Sequence, residues 1–130
     1  MSSTTTTKPV QPTPPGPPWM PPIRAGDTDG RYVNCALELG PLQDVIPSIR
    51  DVSYVIVRQD GRPLDASDIT SAGTSWPDTV DDTGLIITFG FKVPPTNPGR
   101  VYQITLTVNK TAQGRIYVRD VMIQVTPKLG

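Results

Sequence analysis

The amino-acid sequence predicts an all-β chain, a sandwich of antiparallel strands preceded by an extended arm. Three observations predict it. Eleven of the twelve acidic residues are Asp and only Glu38 is Glu; Asp favours turns, whereas Glu favours helices. Sixteen Pro and eleven Gly occur in 130 residues, and both weaken a helix interior. Apolar residues recur with period two along one segment after another, with no stripe at the spacing of a helix face. The length suits one domain with a single core.

The first 22 residues differ from the rest. MSSTTTTKPVQPTPPGPPWMPP holds eight of the prolines, and its bulky apolar residues are Val10, Trp19 and Met20. Such a segment cannot bury enough apolar area to offset its ordering entropy, so alone it is disordered or polyproline II. Fully extended it reaches roughly 70 Å at about 3.1 Å per residue. Trp19 has no local core among the prolines, and a partner pocket is the natural home of such an indole. Pro14, Pro15, Pro17, Pro18, Trp19, Met20 and Pro21 are therefore the candidate partner-binding residues of a docking arm, anchored by Trp19-Met20. A flexible linker is the plainer alternative for this composition.

Residues 23–30, IRAGDTDG, read as a turn-rich hinge. A sandwich domain then spans 31–126, with 127–130 as a C-terminal tail. Arg31–Leu39 alternates, with Val33, Cys35, Leu37 and Leu39 on one face, and Gly40-Pro41 ends it. Asp51–Arg58 is apolar on both faces, with Val52, Tyr54 and Ile56 opposed to Ser53, Val55 and Val57; Asp60-Gly61 is a turn signal. Residues 62–82 are weaker, with short extended pieces expected at Ile69–Ser71 and Thr74–Trp76. Leu85–Val93 is a strand and residues 94–99 a loop. In Val101–Asn109 the residues Tyr102, Ile104, Leu106 and Val108 share a face. Ala112-Gln113-Gly114 turns the chain into Arg115–Val125. There the inward parity switches between Val118 and Val121, which predicts a β-bulge at Arg119-Asp120. The inward set is Val33, Leu37, Tyr54, Ile56, Ile69, Trp76, Ile87, Phe89, Tyr102, Ile104, Leu106, Ile116, Val121, Ile123 and Val125. About seven short strands at this spacing predict an immunoglobulin-like sandwich.

Twelve basic residues balance twelve acidic ones, so no charge excess points to nucleic acid or an anionic membrane. The start has no apolar core of a secretory signal, and no apolar run approaches the roughly 18 residues that span a bilayer. The chain lacks histidine, which removes the usual general base and the commonest metal ligand. The lone Cys35 allows no intrachain disulfide, compatible with synthesis in a reducing cytosol, and reads as a buried core thiol. Asp27, Asp29 and Glu38 match positions 1, 3 and 12 of a calcium loop, but Tyr32 stands where that loop requires Gly. A looser calcium site from Asp78, Asp81 and Asp82 is the weaker metal alternative; turn chemistry explains those residues better. Trp76 reads as core rather than as a sugar-stacking platform. No cofactor, metal or catalytic residue is expected, and the chain is read as non-enzymatic.

From Asp51 onward the sequence resembles the tailed-bacteriophage fiber-tail adaptor proteins, small virion proteins of immunoglobulin-like fold. The resemblance is carried by Asp51-Val52-Ser53-Tyr54, by Asp68-Ile69-Thr70-Ser71 with Ser75-Trp76, and by the block from Gly99 to Val108. Gln113-Gly114-Arg115 and the closing segment from Arg119 to Val125 complete it. The proline-rich arm and the extra strand near 31–39 depart from that pattern. The resemblance implies a virion location and a symmetric, multicopy role joining tail or neck to fibers, with other virion proteins as partners. A capsid decoration protein bound to capsid protein, or a carbohydrate-binding module using Trp76 and Tyr117, are the alternatives.

Overall fold

The computed structural model of the chain describes residues 18–127. The expectations placed on Pro14, Pro15 and Pro17, and on residues 128–130 of the tail, fall outside them. Among the described residues the strands are β1 (Ile23–Arg24), β2 (Thr28–Asn34), β3 (Val52–Arg58), β4 (Thr70–Ser71), β5 (Thr79–Val80), β6 (Ile86–Lys92), β7 (Val101–Val108) and β8 (Tyr117–Thr126). One short helix, α1 (Ala36–Leu39), follows β2. The first sheet has the order β1-β8-β7-β3; in the second, β2 and β4 flank β6, and β5 also pairs with β6. Every pairing is antiparallel except that of β1 with β8. This is the all-β, immunoglobulin-like sandwich that the sequence predicts.

The core fills the space between the sheets. Ile87, Phe89 and Phe91 of β6 face Tyr102, Ile104, Leu106 and Val108 of β7, and Val121, Ile123 and Val125 of β8, all buried. Each such side chain withdrawn from water contributes about 1.5–3 kcal/mol. The Tyr54 ring packs at 4.6 Å from that of Phe89, tilted by 57°. Its hydroxyl is buried without a hydrogen-bond partner, and burial pushes its pKa up.

Two buried carboxylates lock the ends of the sandwich. At one end Asp68 accepts from the Tyr102 hydroxyl at 2.5 Å, from Arg100 Nη1 at 3.0 Å and from the Asp65 N–H at 2.7 Å. Asn97 donates to the same Tyr102 oxygen at 2.6 Å. At the other end Asp44 accepts from Thr111 Oγ1 at 2.6 Å, Arg115 Nη1 at 3.0 Å and the N–H groups of Val45 and Gln113. A buried charge is tolerated only when bonded in this way. Burial raises the Asp44 pKa, but these donors outweigh it and hold the group below the ordinary value.

Several sequence expectations are corrected. Residues 23–30 are not a hinge: Ile23 is buried and pairs with Val125, and Gly26, at φ 92°, turns the chain directly into β2. The strand expected over Arg31–Leu39 stops at Asn34, whose Oδ1 accepts from the Ala36 N–H at 2.9 Å. That side-chain turn starts α1 and leaves Leu37 85% exposed, not inward; alternation cannot register it. Thr74–Trp76 is not extended: residues 73–75 form a 3-10 turn. Trp76 then lies outside the core, over the facing pair Gly30 and Gly90 on the outer side of the second sheet.

The bulge at Arg119-Asp120 is absent. β8 pairs with β7 without interruption from Gln124 opposite Val101 to Tyr117 opposite Val108. Ile116 and Val118 are consequently exposed, and Tyr117 and Arg119 take the inner positions. Their polar ends reach across the sandwich rim: the Tyr117 hydroxyl donates to Glu38 at 2.7 Å, and Arg119 Nη1 donates to the Asn34 carbonyl at 2.5 Å. Long polar residues on the inner face looked like a parity switch in the sequence.

A Cβ at Gly90 would lie 1.9 Å from the Trp76 carbonyl oxygen. Gly90→Ala is expected to cost at least about 2 kcal/mol in urea unfolding. Gly40→Ala, at φ −57° with open space around it, is expected to gain about 0.5 kcal/mol. Equal stabilities would show that Trp76 does not seal this pair. The Asp44 pKa is lowered on folding, so its contribution is fully present above the ordinary value near 3.9 and is lost as pH falls through the folded value. Thermal melts of the parent should therefore hold steady down to about pH 5 and then drop. Asp44→Asn should be less stable at neutral pH with a shallower acid decline, and parallel pH profiles would count against this assignment.

Candidate partner-docking surface

The arm enters the fold along the free edge of β8. Trp19 stands opposite Met122 in a parallel bridge; the Met122 N–H donates to the Pro18 carbonyl at 2.9 Å, and the Met20 N–H donates to the Met122 carbonyl at 2.8 Å. To extend this ladder towards the N-terminus, residue 18 would have to donate to Asp120. Pro18 has no N–H, so that bond cannot form. Towards the C-terminus the ladder resumes at Ile23 opposite Val125 and continues with Arg24 opposite Thr126. Five arm steps, from 19 to 24, thus match four on β8, from 122 to 126. The surplus residue falls in the Met20–Ile23 stretch with Pro21-Pro22, whose missing donors allow the chain to bulge.

Arg31 satisfies that bulge. Its Nε donates to the Pro21 carbonyl at 3.0 Å and its Nη2 to the Pro22 carbonyl at 2.6 Å. Asp29 holds the guanidinium at 2.8 Å. The bond from Arg31, followed by the Gly30 N–H, keeps the Asp29 carboxyl below its ordinary pKa.

The candidate arm residues therefore divide. Pro18 and Pro21 give their carbonyls to the fold. Met20 is buried in the chain's own core, which corrects its assignment to a partner. Trp19 is 58% exposed and remains open to one.

Trp19 borders an exposed sheet face that the sequence reading left unassigned. The outward residues of the first sheet are Ser53, Val55 and Val57 on β3, Gln103, Thr105 and Thr107 on β7, and Val118, Asp120 and Met122 on β8. Val55, Val57 and Val118 are exposed. Asp120 is the one charged residue in these rows and accepts from Thr105 Oγ1 at 2.6 Å. A groove of about 570 Å³ runs between Trp19, Val57, Gln103 and Met122. The signal in the sequence was a strand apolar on both faces, Asp51–Arg58. One face serves the core, and the other is left exposed among the described residues.

A second groove, of about 380 Å³, opens on the other side of Trp19. Met20, Val33 and Val121, all buried, lie along it, and Trp19, Tyr32 and Leu37 stand exposed at its borders.

The other candidates separate. Asp78 accepts from the Gly90 N–H, and Asp81 from Thr83 and the N–H groups of Leu85 and Ile86. Asp81 serves its own turn, and Asp78 ties its segment to β6. Among the described residues no group of three or more acidic or cysteine side chains is placed to share a metal. Cys35 is fully buried, and burial raises its pKa. Tyr117, half-buried on the first sheet, is bonded to Glu38 of α1, whereas Trp76 lies on the outer side of the second sheet. They do not form one stacking platform.

No protein-family model matches the chain, and no curated protein does. Among solved structures it is similar to a family 123 glycoside hydrolase from Clostridium perfringens, with 13% identity and a TM-score of 0.39, over 82% of this chain and 22% of that one. The chain thus spans about a fifth of that enzyme's length, and a likeness of this size carries no argument about function.

Arg31→Ala should free the arm without unfolding the sandwich. Hydrogen exchange at the Met20 and Met122 amides should accelerate at least about tenfold, the loss of about 1.4 kcal/mol of local protection. Unchanged exchange at both amides would show that Arg31 does not hold the bulge.

Proposed function

We propose that the chain is a non-enzymatic assembly module, a structural protein of a tailed-phage virion that joins tail or neck to fibers through its sandwich and N-terminal arm. The observation that carries this reading is the placement of Trp19. An exposed indole sits on the described part of the proline-rich arm, beside an outward sheet face bearing Val55, Val57 and Val118 and almost no charge. Exposed apolar surface flanking an aromatic anchor is the pattern of a protein interface. The resemblance of the segment from Asp51 to Val125 to fiber-tail adaptors directs it towards a virion. Multiple copies in a symmetric assembly would add many weak contacts.

Neutral net charge suits a protein partner better than nucleic acid. The carbohydrate-binding alternative loses support, because Trp76 and Tyr117 lie apart. A capsid decoration protein would use the same surface and differ in copy number.

Cryo-electron microscopy of particles carrying this chain, with protein quantitation, tests the reading. The expected result is density for Trp19 and the outer face of the first sheet against a tail, neck or fiber subunit, at a low symmetric copy number. Hundreds of copies on the capsid lattice would make it a decoration protein, and absence from purified particles would sink the virion reading.

A further inference from the structure

We propose that two copies of this chain join edge to edge, their β3 strands running antiparallel about a twofold axis at Val55. The inference goes beyond the docking role of the outward face and stands apart from the virion reading. A sheet edge is a ready template for another strand, and folded chains blunt it with charge, proline, a bulge, short length or a covering segment. Here the arm and β1 cover the edge of β8. β2 carries Asp29, Gly30 and Arg31, and β1, β4 and β5 are two residues long. Among the described residues β3 has none of these guards. It runs for seven residues, VSYVIVR, without Pro, Gly or Lys, and its one charged residue, Arg58, is buried. Its ladder to β7 is unbroken from Val52 opposite Val108 to Arg58 opposite Tyr102.

The backbone groups along this edge select the partner and the register. The Gln59 N–H donates to the Val101 carbonyl at 3.0 Å and the Asn109 N–H to the Asp51 carbonyl at 2.7 Å. Bonded pairs alternate in an antiparallel ladder, so Ser53, Val55 and Val57 bond to β7, whereas Val52, Tyr54 and Ile56 turn their N–H and carbonyl groups to the free edge. The Val52 N–H is spent on the Ile49 carbonyl, and the Arg58 carbonyl on the Gly61 N–H. Tyr54 and Ile56 keep both groups open among the described residues. An added strand satisfies such groups. A twofold centred on Val55 sets Tyr54 opposite Ile56, so each exchanges both bonds with the other copy. It also sets the spent Val52 N–H opposite the spent Arg58 carbonyl. Centring on Tyr54 instead sets the Ile56 carbonyl against the spent Val52 N–H, and centring on Ile56 sets the Tyr54 N–H against the spent Arg58 carbonyl. The first leaves an acceptor without a donor, and the second a donor without an acceptor.

The side chains agree with the same register. Val55, 63% exposed, meets its own copy at a non-hydrogen-bonded position, where side chains approach most closely. Ser53 meets Val57. Beyond the strand, the exposed Arg50 falls opposite Asp60, whose side chain is half exposed, and symmetry repeats this at the other end. Asp51 falls opposite Gln59, so opposite charges meet and like charges do not. The contact merges two four-stranded sheets into one and leaves Trp19 and the outward faces open, side by side.

Sedimentation velocity of the full chain from about 1 μM to 1 mM tests this, together with amide hydrogen exchange at Tyr54 and Ile56. Association that grows with concentration and slows both amides is expected. Val55→Lys sets two ammonium groups against each other at the axis and should raise the dissociation constant at least about tenfold, as should Val55→Glu. Mixing those two variants should restore association, because opposite charges then meet. Val118→Lys, also at an exposed valine but on β8 away from the edge, should leave the dissociation constant unchanged. A chain that is monomeric at every concentration overturns the inference. So does association that survives Val55→Lys, or that Val118→Lys abolishes, because the contact would then lie elsewhere. Protection of Tyr54 and Ile56 that is independent of concentration also overturns it, since the chain's own residues would then cover the edge. The assembly reading is judged separately, on particles: a chain that joins virions as a monomer loses this inference alone, and a chain that pairs but is absent from particles loses the virion reading alone.

Discussion

The closing strand β8 is bonded along both edges, and the architecture of the arm follows from that. On one edge it carries the full antiparallel ladder to β7. On the other it takes up Pro18–Met20 and then Ile23–Arg24 in parallel. The prolines set where that second ladder can exist, since each removes a donor. From Pro18 the described arm follows β8, bulges at Pro21-Pro22 and requires Arg31 to satisfy the carbonyls exposed by the bulge. Trp19 is held outward by a rigid frame rather than hanging on a loose tail.

That frame places Trp19 at a border shared by two surfaces. One is the outward face of β3, β7 and β8, with valines between threonines and a bonded Asp120. The other is the groove towards Tyr32 and Leu37. Both are neutral in character. Weak contacts of this kind gain strength through multiplicity, which suits a joint in a symmetric assembly. The buried polar clusters at the two ends, around Asp68 and Asp44, keep the loops ordered. They hold the two ends of the sandwich together.

Legibility in the sequence differed from element to element. Strands β3, β6 and β7 were visible because their inner residues alternate with β-branched or polar ones. So were Phe89, Ile104, Leu106 and Ile123 as core. The fate of Leu37 and Ile116 was not visible. Each is apolar and sits at the right parity, yet one lies on a helix started by Asn34 and the other falls before β8 begins. Trp76 was misread because nothing local shows that Gly30 and Gly90, sixty residues apart in the chain, face each other and leave room for an indole. Met20 was misread because its environment consists of prolines in sequence and of Val33 and Val121 in space.

By itself, then, the sequence determined the fold class, the strand-rich domain and the distinct arm, because period-two hydrophobicity, turn residues and proline content act locally. Only the tertiary structure decided where the arm begins to belong to the sandwich, which of Trp19 and Met20 faces outward, and that Arg31 clamps the Pro21-Pro22 bulge that follows them. Those outcomes depend on hydrogen-bond donors and acceptors contributed by β8 and β2, and on the register that brings them together. Register is a property of paired strands, and a single strand's sequence does not contain it.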